Sequence, residues 1–477
     1  MRIAHINVSA SDSSGRTAAY LCRTVQQLGH KSLLCYWRGH PPADVNSYRI
    51  GGKPSALKRS AVPPRGIARF FSNLSDRLWH GLAPELHIFH TRLLDRAGFF
   101  GKRVTRRLVR QLAFFKPDIV HLHTLHGYYL HLPTLFHYLK TNDIPVVWSM
   151  QDCWAFTGHC VCYSTAKNAP NMNVKRSRLK TETVGCDRWQ HGCGKCVQKR
   201  CYPSSWLVDN SASNWTRKRE LLTGHAHMVL TVPSNWMRDE LTRSFLHYPV
   251  YVLPAGVDTS VFQPCLSGTY MNEAAKSYGL DLRGDRPIIL SAAPAWDDRH
   301  GLEDLNALAH QLGDGYSVVV SGATDVQLEK LTDNKLLPIR YPGNLNDLCA
   351  LYTAAKVYVC AARDAASATS LSEAMACGTP VVCYASEGIA ESITLDAGEA
   401  VPAGNIDALV QAVKKLCELS EEEHSKLSQA CLAHAASCSM DERSTAYMRL
   451  YEKMYRFSPA YETAYAKKAG KHRRKPE

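Results

Sequence analysis

The sequence alternates short apolar runs with polar loops and helical segments, and it does so twice along the chain. The first series starts with RIAHINV, continues through a small-residue loop around Gly15 and a helical segment, and reaches the apolar run KSLLCYW. The second series starts with RPIILSAA and continues through YSVVVSG and VYVCAA. Strands separated by helices pair in parallel, so the pattern predicts two successive doubly wound α/β domains.

The stretch from Asp364 to Glu391 contains the clearest candidate for a ligand site. Small and hydroxylated residues lead at Thr369 into SLSEAMA, a predicted helix that ends at the following Cys-Gly-Thr-Pro. The start of a helix offers backbone N–H groups and a positive dipole end to an anion, and Glu373 lies one turn further inside. A diphosphate beside a ribose fits this pattern. An ordinary capped helix of an α/β turn is the structural alternative.

Polar side chains also follow two apolar strands in the first half of the chain. The first strand meets four histidines: His121, His123, His126 and His131. The second, VVWSM, is followed by Gln151 and Asp152. Residues at the carboxyl ends of parallel strands lie where α/β proteins bind ligands, although single histidines are more often structural. The loop of Gly15 lacks a G-x-G-x-x-G fingerprint, but it remains a candidate border of a ligand site.

A cysteine-rich segment follows, and its spacing is typical of a zinc site. Six cysteines fall within it: Cys160, Cys162, Cys186, Cys193, Cys196 and Cys201. We predict a structural zinc ion held by Cys160, Cys186, Cys193 and Cys196, with His191 or Cys162 as possible replacements. Unliganded thiols are the alternative. A redox role for the C-x-x-C is less favoured because the motif does not open a helix after a strand.

Composition indicates a globular chain with phosphate-bearing partners. The chain has 477 residues, 45% of them hydrophobic, and no apolar run reaches the length of a membrane span. Its start lacks the apolar segment of a signal peptide, which favours a cytoplasmic location. The formal charge of +14 favours nucleotides, nucleic acid or anionic lipid. No nucleic-acid reading module is recognisable, so no nucleic acid is expected.

Two interpretations are open for a basic and aromatic region of the first half. The segment from about 70 to 115 is rich in Arg and aromatic residues and is predicted to be helical. Such helices can rest on the anionic inner face of a cell membrane. Alternatively, their apolar side packs on their own domain while the arginines face solvent.

Five motifs in fixed order resemble the retaining GT-B glycosyltransferases of the large family-four group. They are PAGVDTSVFQP, WDDRHGLEDL, YPGNLNDLCALYTAAKVYV, SLSEAMACGTPVV and SEGIAESI. A narrower resemblance, to bacterial exopolysaccharide and colanic-acid-type transferases, comes from HLHTLHGYYL, QDCWAFTGHC and CDRWQHGCGKC. The resemblance implies two Rossmann-like domains facing across a cleft, with the cysteine-rich insertion in the first.

The resemblance also implies domain limits. Residues 1–254 would form the acceptor domain, with the insertion at about 153–203, and residues 255–440 the nucleotide-sugar donor domain. Residues 441–460 would form a helix returning to the first domain, and residues 461–477 a disordered basic tail.

Site residues carry over from the family one by one. The implied catalytic residues are His123, Asp152, Arg299 and Glu373, and the implied donor-binding residues are Gly15, His300, Asp364, Ser367, Ala368, Thr369, Ser370 and Glu373. Glu373 would contact the ribose, the amides near Ser367 to Ser370 would hold the diphosphate, and Arg299 would neutralise the leaving group. The family's retaining chemistry uses no divalent metal, so no catalytic cofactor is implied.

The expected activity is therefore metal-independent hexosyl transfer from a UDP- or GDP-sugar to a growing, lipid-linked surface polysaccharide. Three positions depart from the family pattern. Ala365 replaces the first acid of its E-x7-E element, His300 replaces a lysine, and Gln151 replaces a histidine. These departures leave open a second hypothesis, a catalytically degenerate scaffold in a polysaccharide-assembly complex.

Overall fold

The computed structural model describes residues 1–51, 83–163, 186–282, 286–294, 296, 299–331, 333–394 and 396–461. Much of the predicted basic regions, at 52–82 and 164–185, and nearly all of the predicted tail fall outside these residues. The chain divides into two compact units. The first comprises residues 1–231, 240–251 and 447–477, and the second comprises residues 232–239 and 252–446.

The first unit contains a largely parallel sheet. Its strands are β1 (Arg2–Ser9), β2 (Lys31–Arg38), β3 (Ser47–Arg49), β4 (Ile119–Leu122), β5 (Val146–Ser149), β6 (Met228–Val232) and β7 (Val250–Val252). In the described part of the chain their order is β3-β2-β1-β4-β5-β6-β7. The pairings from β3 through β6 are all parallel.

Helices connect these strands, as parallel pairing requires. They are α1 (Ser13–Gln27), α2 (Ala83–Leu94), α3 (Lys102–Phe115), α4 (Leu132–Thr141), α5 (Ser211–Leu222) and α6 (Asn235–Thr242). A short 3₁₀ helix spans Arg188–Gln190. The side chain of Asp12 caps α1 by accepting a hydrogen bond from the Gly15 amide at 2.7 Å, which fixes where the helix begins.

The second unit contains an all-parallel sheet with strands β8 (Ile288–Ala292), β9 (Ser317–Ser321), β10 (Leu337–Ile339), β11 (Val357–Cys360), β12 (Val381–Tyr384) and β13 (Gly398–Val401). Among the residues described, their order is β10-β9-β8-β11-β12-β13. The accompanying helices are α7 (Gly268–Ser277), α8 (Leu302–Leu312), α9 (Asp325–Leu328), α10 (Leu345–Ala354), α11 (Thr369–Ala376), α12 (Ile406–Cys417), α13 (Glu421–Ser437) and α14 (Met440–Tyr455), with a 3₁₀ helix at Ala390–Ser392.

Strand β11 illustrates why the second sheet is buried on both faces. Val357 and Val359 pack into one hydrophobic cluster, whereas Tyr358 and Cys360 pack into another. Successive side chains of a strand point to opposite faces, so an unbroken apolar run supplies two cores at once. The prediction of two doubly wound α/β domains is confirmed.

The end of α14 belongs to the first unit. The Tyr447 hydroxyl lies 2.7 Å from Ser149 Oγ, and the Tyr451 hydroxyl lies 2.6 Å from His121 Nδ1. These buried hydrogen bonds join the helix to β4 and β5. No helix in the described ranges is long and apolar enough to cross a membrane.

Candidate functional site

The predicted site residues fall into both units. Gly15, His123, Asp152 and the four predicted zinc ligands lie in the first unit, and Arg299, His300, Asp364, Ser367, Ala368, Thr369, Ser370 and Glu373 lie in the second.

The start of α11 has no side-chain cap. The N-cap residue, Ala368, has no side-chain group that could cap the helix. Residues 367–370 are partly exposed, so a ligand can reach their backbone amides. An uncapped helix start leaves N–H donors and a positive dipole end available to an incoming oxyanion. The geometry of this helix start is therefore compatible with binding of a diphosphate.

Glu373 lies one turn into the same helix and is only 7% exposed. Its Oε2 accepts a hydrogen bond from the Tyr352 hydroxyl at 3.3 Å. A buried carboxylate needs such donors, because removing its charge from water is costly. The arrangement leaves Glu373 one turn beyond the uncapped helix start, and a carboxylate at this position is chemically able to accept hydrogen bonds from hydroxyl groups.

The loop after β8 carries Arg299 and His300. The Arg363 amide donates to the Arg299 carbonyl at 2.9 Å, which ties this loop to the residues that follow β11. The His300 ring lies edge-on to Trp296, with ring centroids 5.8 Å apart. Gly301 then starts α8 with a left-handed φ of 72°. The loop position is thus supported by one backbone hydrogen bond at Arg299 and by the ring contact of His300.

A second buried acid, Glu387, pairs with Asp364, and sequence reasoning missed it. Burial, followed by the neighbouring Asp364, raises the pKa of Glu387 far above its ordinary value, while Arg299 opposes the shift. Two neighbouring carboxyl groups away from water retain a proton because both cannot ionise together. Glu387 also adopts a left-handed φ of 48°, which is uncommon for a residue with a Cβ. This conformation is not signalled by the sequence.

The raised pKa of Glu387 predicts that the stability of wild type changes with pH in a way that the stability of Glu387→Gln does not. The native state keeps a proton that the unfolded chain releases above its ordinary pKa of about 4.5. The resulting stabilisation is complete below that pH and is lost as pH rises towards the folded-state pKa. Glu387→Gln removes the titration, so we expect the melting temperature of wild type to fall relative to this variant by several degrees between pH 5 and pH 9.

The exposed Glu273 supplies the control for this experiment. Glu273→Gln should keep the wild-type dependence of melting temperature on pH. If wild type and Glu387→Gln show parallel curves of melting temperature against pH, the raised pKa of Glu387 is wrong.

His123 lies in a buried histidine cluster of the first unit. His5 Nδ1 and His123 Nε2 are 3.2 Å apart, and the rings of His121 and His123 lie 4.0 Å apart between centroids. Burial lowers the pKa of all three, that of His123 to about 3, so these imidazoles are neutral. Sequence reasoning identified His121 and His123 but not His5, which pairs with His121 across β1 and β4.

The same three histidines form the one set, within the described residues, whose potential metal-ligating atoms all lie within 4.8 Å of one another. Both nitrogens of His121 already bond to hydroxyls, those of Tyr451 and Ser149, at 2.6 and 2.7 Å. Ser149 in turn bonds Thr231 at 2.8 Å. His121 is therefore satisfied at both ring nitrogens, whereas the buried His5 Nε2 and His123 Nδ1 have no hydrogen-bond partner among the described residues.

Asp152 lies at the end of the neighbouring strand. Its Oδ2 is 3.0 Å from His126 Nε2, and its Oδ1 accepts a hydrogen bond from the Trp154 amide at 2.8 Å. Burial alone would raise the pKa of Asp152, but His126 and the Trp154 amide together hold it below its ordinary value. His123, His126, Gln151 and Asp152 all line one small pocket of this unit.

Gly15 lies at the start of α1, and packing explains its identity. A Cβ at this position would lie 2.6 Å from the backbone carbonyl oxygen of Ser9. The Gly15 amide is already bonded to Asp12. Its predicted role beside a donor remains a prediction.

The four predicted zinc ligands are neighbours but do not have the spacing of a metal site. The thiols of Cys160 and Cys196 are hydrogen-bonded to each other, and both Cys186 and Cys193 are close enough to Cys160 to affect its ionisation. The Gly158 amide donates to Cys193 Sγ at 3.2 Å. No three of these sulfurs all lie within 4.8 Å of one another. All seventeen cysteines of the chain are free thiols, and zinc binding remains a prediction.

Comparison with models of known protein families assigns this chain to a family. A family model described as Glycosyltransferase Family 4 matches residues 14–261, more than half of the chain. The chain belongs to glycosyltransferase family 4. A second model, described as Glycosyl transferases group 1, matches residues 279–431 of this family-4 chain and includes the start of α11 and Glu373. The family resemblance predicted from the sequence motifs is confirmed.

Known proteins similar to this family-4 chain include one described as "Putative colanic acid biosynthesis glycosyl transferase WcaC", from Escherichia coli (strain K12). It is 27% identical over 110 residues, which are 22% of either chain, so the match spans about a fifth of that relative's length.

Solved structures share the fold. Sucrose-phosphate synthase from Thermosynechococcus elongatus has a TM-score of 0.62 at 15% identity, over 96% of this chain and 100% of that one. Anabaena Alr3699/HepE in complex with UDP and glucose has a TM-score of 0.58 at 12% identity, over 95% and 100%. At these identities the likeness concerns the fold alone, which is GT-B, as predicted.

Proposed function

We propose that this protein transfers a sugar from a nucleotide-sugar donor to a polysaccharide acceptor, with retention of configuration and without a catalytic metal. The observation that carries the proposal is the uncapped start of α11 with the buried Glu373 one turn inside it. A colanic acid transferase among the similar proteins, and UDP bound to a structural neighbour, are consistent with this reaction class.

The second unit would supply the electrostatic part of the reaction. Charge develops on the departing diphosphate in the transition state, and preorganised donors stabilise it most effectively in a site that excludes water. In this proposal the amides near Ser367 to Ser370 and the guanidinium of Arg299 provide those donors. Glu373 accepts hydrogen bonds from the ribose hydroxyls. A divalent ion is not needed to offset the charge.

A thermal-shift screen of UDP-, GDP- and ADP-sugars tests donor binding. A ligand that binds only the folded state raises the melting temperature, so one nucleotide class should do so preferentially. Arg299→Ala and Glu373→Ala should each lower sugar transfer by about 100-fold or more, because each removes a group that contacts charge or ligand in the transition state. Glu329→Ala, an exposed acid of the same unit, should leave transfer unchanged.

A catalytically degenerate scaffold is the second candidate function. It is motivated by Ala365 and Gln151, which replace residues expected in active members of the family. A folded wild-type protein that neither gains stability from any donor nor turns one over would favour the scaffold over the enzyme.

We further propose that the acceptor is lipid-linked and that α3 contacts an anionic membrane. Thr105, Leu108 and Leu112 bury one face of this helix. The opposite face exposes five cations, Lys102, Arg103, Arg106, Arg107 and Arg110. A row of cations on an outer helix face is complementary to anionic lipid headgroups.

Charge reversal tests the membrane proposal. Wild type should co-sediment with phosphatidylglycerol vesicles at low salt, and the double variant Arg106→Glu and Arg107→Glu should bind at least about tenfold more weakly, since each cation near the surface contributes about 1 kcal/mol. Lys276→Glu, an exposed reversal in the second unit, should bind as wild type. Equal binding of wild type to anionic and zwitterionic vesicles would contradict the proposal.

Finally, we propose that Cys160, Cys186, Cys193 and Cys196 bind one structural zinc ion. The fully buried Lys218 supports this proposal. Its ammonium donates to the carbonyls of Trp154 and Thr157 and lies within electrostatic range of Cys193 and Cys160.

A zinc ion with four thiolates carries a net charge of about −2, which a buried ammonium would offset. Binding would draw the four sulfurs to about 3.8 Å from one another, closer than they now lie as a set. His191 and Cys162 remain the alternative ligands.

A further inference from the structure

Three side chains of the first unit, those of Asp152, His126 and Tyr202, are hydrogen-bonded in a row that ends at the exposed Tyr202. Asp152 Oδ2 lies 3.0 Å from His126 Nε2, and His126 Nδ1 lies 2.9 Å from the Tyr202 hydroxyl. The side chains of Asp152 and His126 are 20% and 16% exposed, whereas Tyr202 is 41% exposed. Tyr202 comes from the cysteine-rich segment, about 50 residues beyond Asp152, so the fold brings two distant parts of the chain together.

The chemistry of the three side chains determines which group donates and which accepts in each of the two hydrogen bonds. A carboxylate can only accept, so His126 Nε2 carries a hydrogen that points to Asp152. In the tautomer whose single hydrogen is on Nε2, Nδ1 has a lone pair and accepts a hydrogen bond from the Tyr202 hydroxyl. The phenol oxygen is thereby left with its lone pairs directed away from His126. An incoming hydroxyl group can donate to it.

The surroundings of Tyr202 suit a sugar. Its ring lies edge-on to Tyr128, with centroids 6.0 Å apart, and edge-on to His126, at 5.4 Å. His126 and Asp152 also line the water-sized pocket that contains His123 and Gln151, and Tyr202 lies outside that lining. Carbohydrate sites combine a few oriented polar groups with aromatic walls, because sugars present both hydroxyls and apolar C–H faces.

We propose that Tyr202 binds a hydroxyl group of a sugar acceptor, with His126 and Asp152 as positioning residues that orient its phenol. The inference rests on the proposed function and adds an acceptor-binding group to it. It also gives the cysteine-rich segment a functional task, which is to carry Tyr202 to the end of the sheet. A purely structural alternative is that the same hydrogen bonds only anchor this segment.

Binding of octyl glucoside and octyl galactoside, soluble glycosides with an alkyl chain, tests the assignment. Their dissociation constants would be measured by saturation-transfer NMR on the full-length protein. Tyr202→Phe keeps the ring and removes one hydrogen bond, so affinity for at least one glycoside should fall about 3- to 10-fold. Tyr138→Phe is the matched control, because it removes the hydroxyl of a half-buried tyrosine on α4 of the same unit, and it should bind as wild type.

A double-mutant cycle separates positioning from anchoring. If His126 acts through Tyr202, His126→Gln should weaken glycoside binding in wild type but have little further effect in the Tyr202→Phe background. The proposal is overturned if wild type binds neither glycoside, or if Tyr202→Phe lowers the melting temperature while leaving glycoside affinity unchanged. The UDP-, GDP- and ADP-sugar thermal shift, measured in parallel, reports the donor site separately. Its failure would count against the proposed function and not against Tyr202 alone.

Discussion

Gly301→Ala is expected to destabilise the second unit by about 3 kcal/mol or more and to abolish the thermal shift given by a nucleotide sugar. Two causes add. Gly301 has a left-handed φ of 72°, which is strained for alanine. An added Cβ would also lie 2.2 Å from the Ala361 carbonyl oxygen, so the backbone must move. Arg299 lies two residues upstream in the same loop and would be displaced from any bound diphosphate.

Gly279→Ala separates strain from collision. Gly279 lies in the same unit and has a left-handed φ of 81°, but a Cβ there would have no neighbour within 4 Å. This variant should lose only about 1 kcal/mol, by thermal or urea unfolding, and should keep its response to the donor. Similar losses in the two variants would mean that the close approach of Gly301 to Ala361 has no energetic weight.

The fold was predictable because it depends on patterns that persist over many residues. Apolar runs such as VYVCAA and VVCY recur between helical segments, and only a parallel sheet covered on both faces buries them all. The start of α11 was predictable for a related reason. This helix begins among small residues and ends at Cys-Gly-Thr-Pro, so the residues next to each end indicate where it starts and stops.

The remaining parts of the candidate site depend on contacts between distant residues. Glu387 is one of many exposed-looking acids in the sequence, and its pairing with Asp364 follows from the path of the loop after β12. Tyr202 and His126 are 76 residues apart in the chain. His5 reaches His123 only because β1 and β4 are neighbours in the sheet. No periodicity of the sequence encodes such pairs, since they arise from the tertiary arrangement.

Loss of the proposed zinc ion is expected to lower the thermal stability of the first unit strongly. Purified protein should contain about one zinc ion per chain by mass spectrometry of the metal. Cys193→Ser and Cys196→Ser should each reduce the zinc content and lower the melting temperature of the first unit by about 10 °C or more, because metal-binding free energy contributes to folding free energy. A chelator should lower the melting temperature of wild type in the same way.

Cys201→Ser and Lys218→Met sharpen the interpretation. Cys201 is exposed and belongs to the same segment, so its loss should change neither zinc content nor melting temperature.

If Lys218 offsets the charge of a zinc–thiolate centre, Lys218→Met should weaken zinc retention, because a buried negative centre would lose its nearby cation. If the thiols are unliganded, the same variant should leave metal content at zero, and removing a buried ammonium should relieve its desolvation cost. Zinc-free wild-type protein that unfolds at the same temperature with and without chelator would exclude the metal, leaving Cys160 and Cys196 as an ordinary pair of hydrogen-bonded thiols.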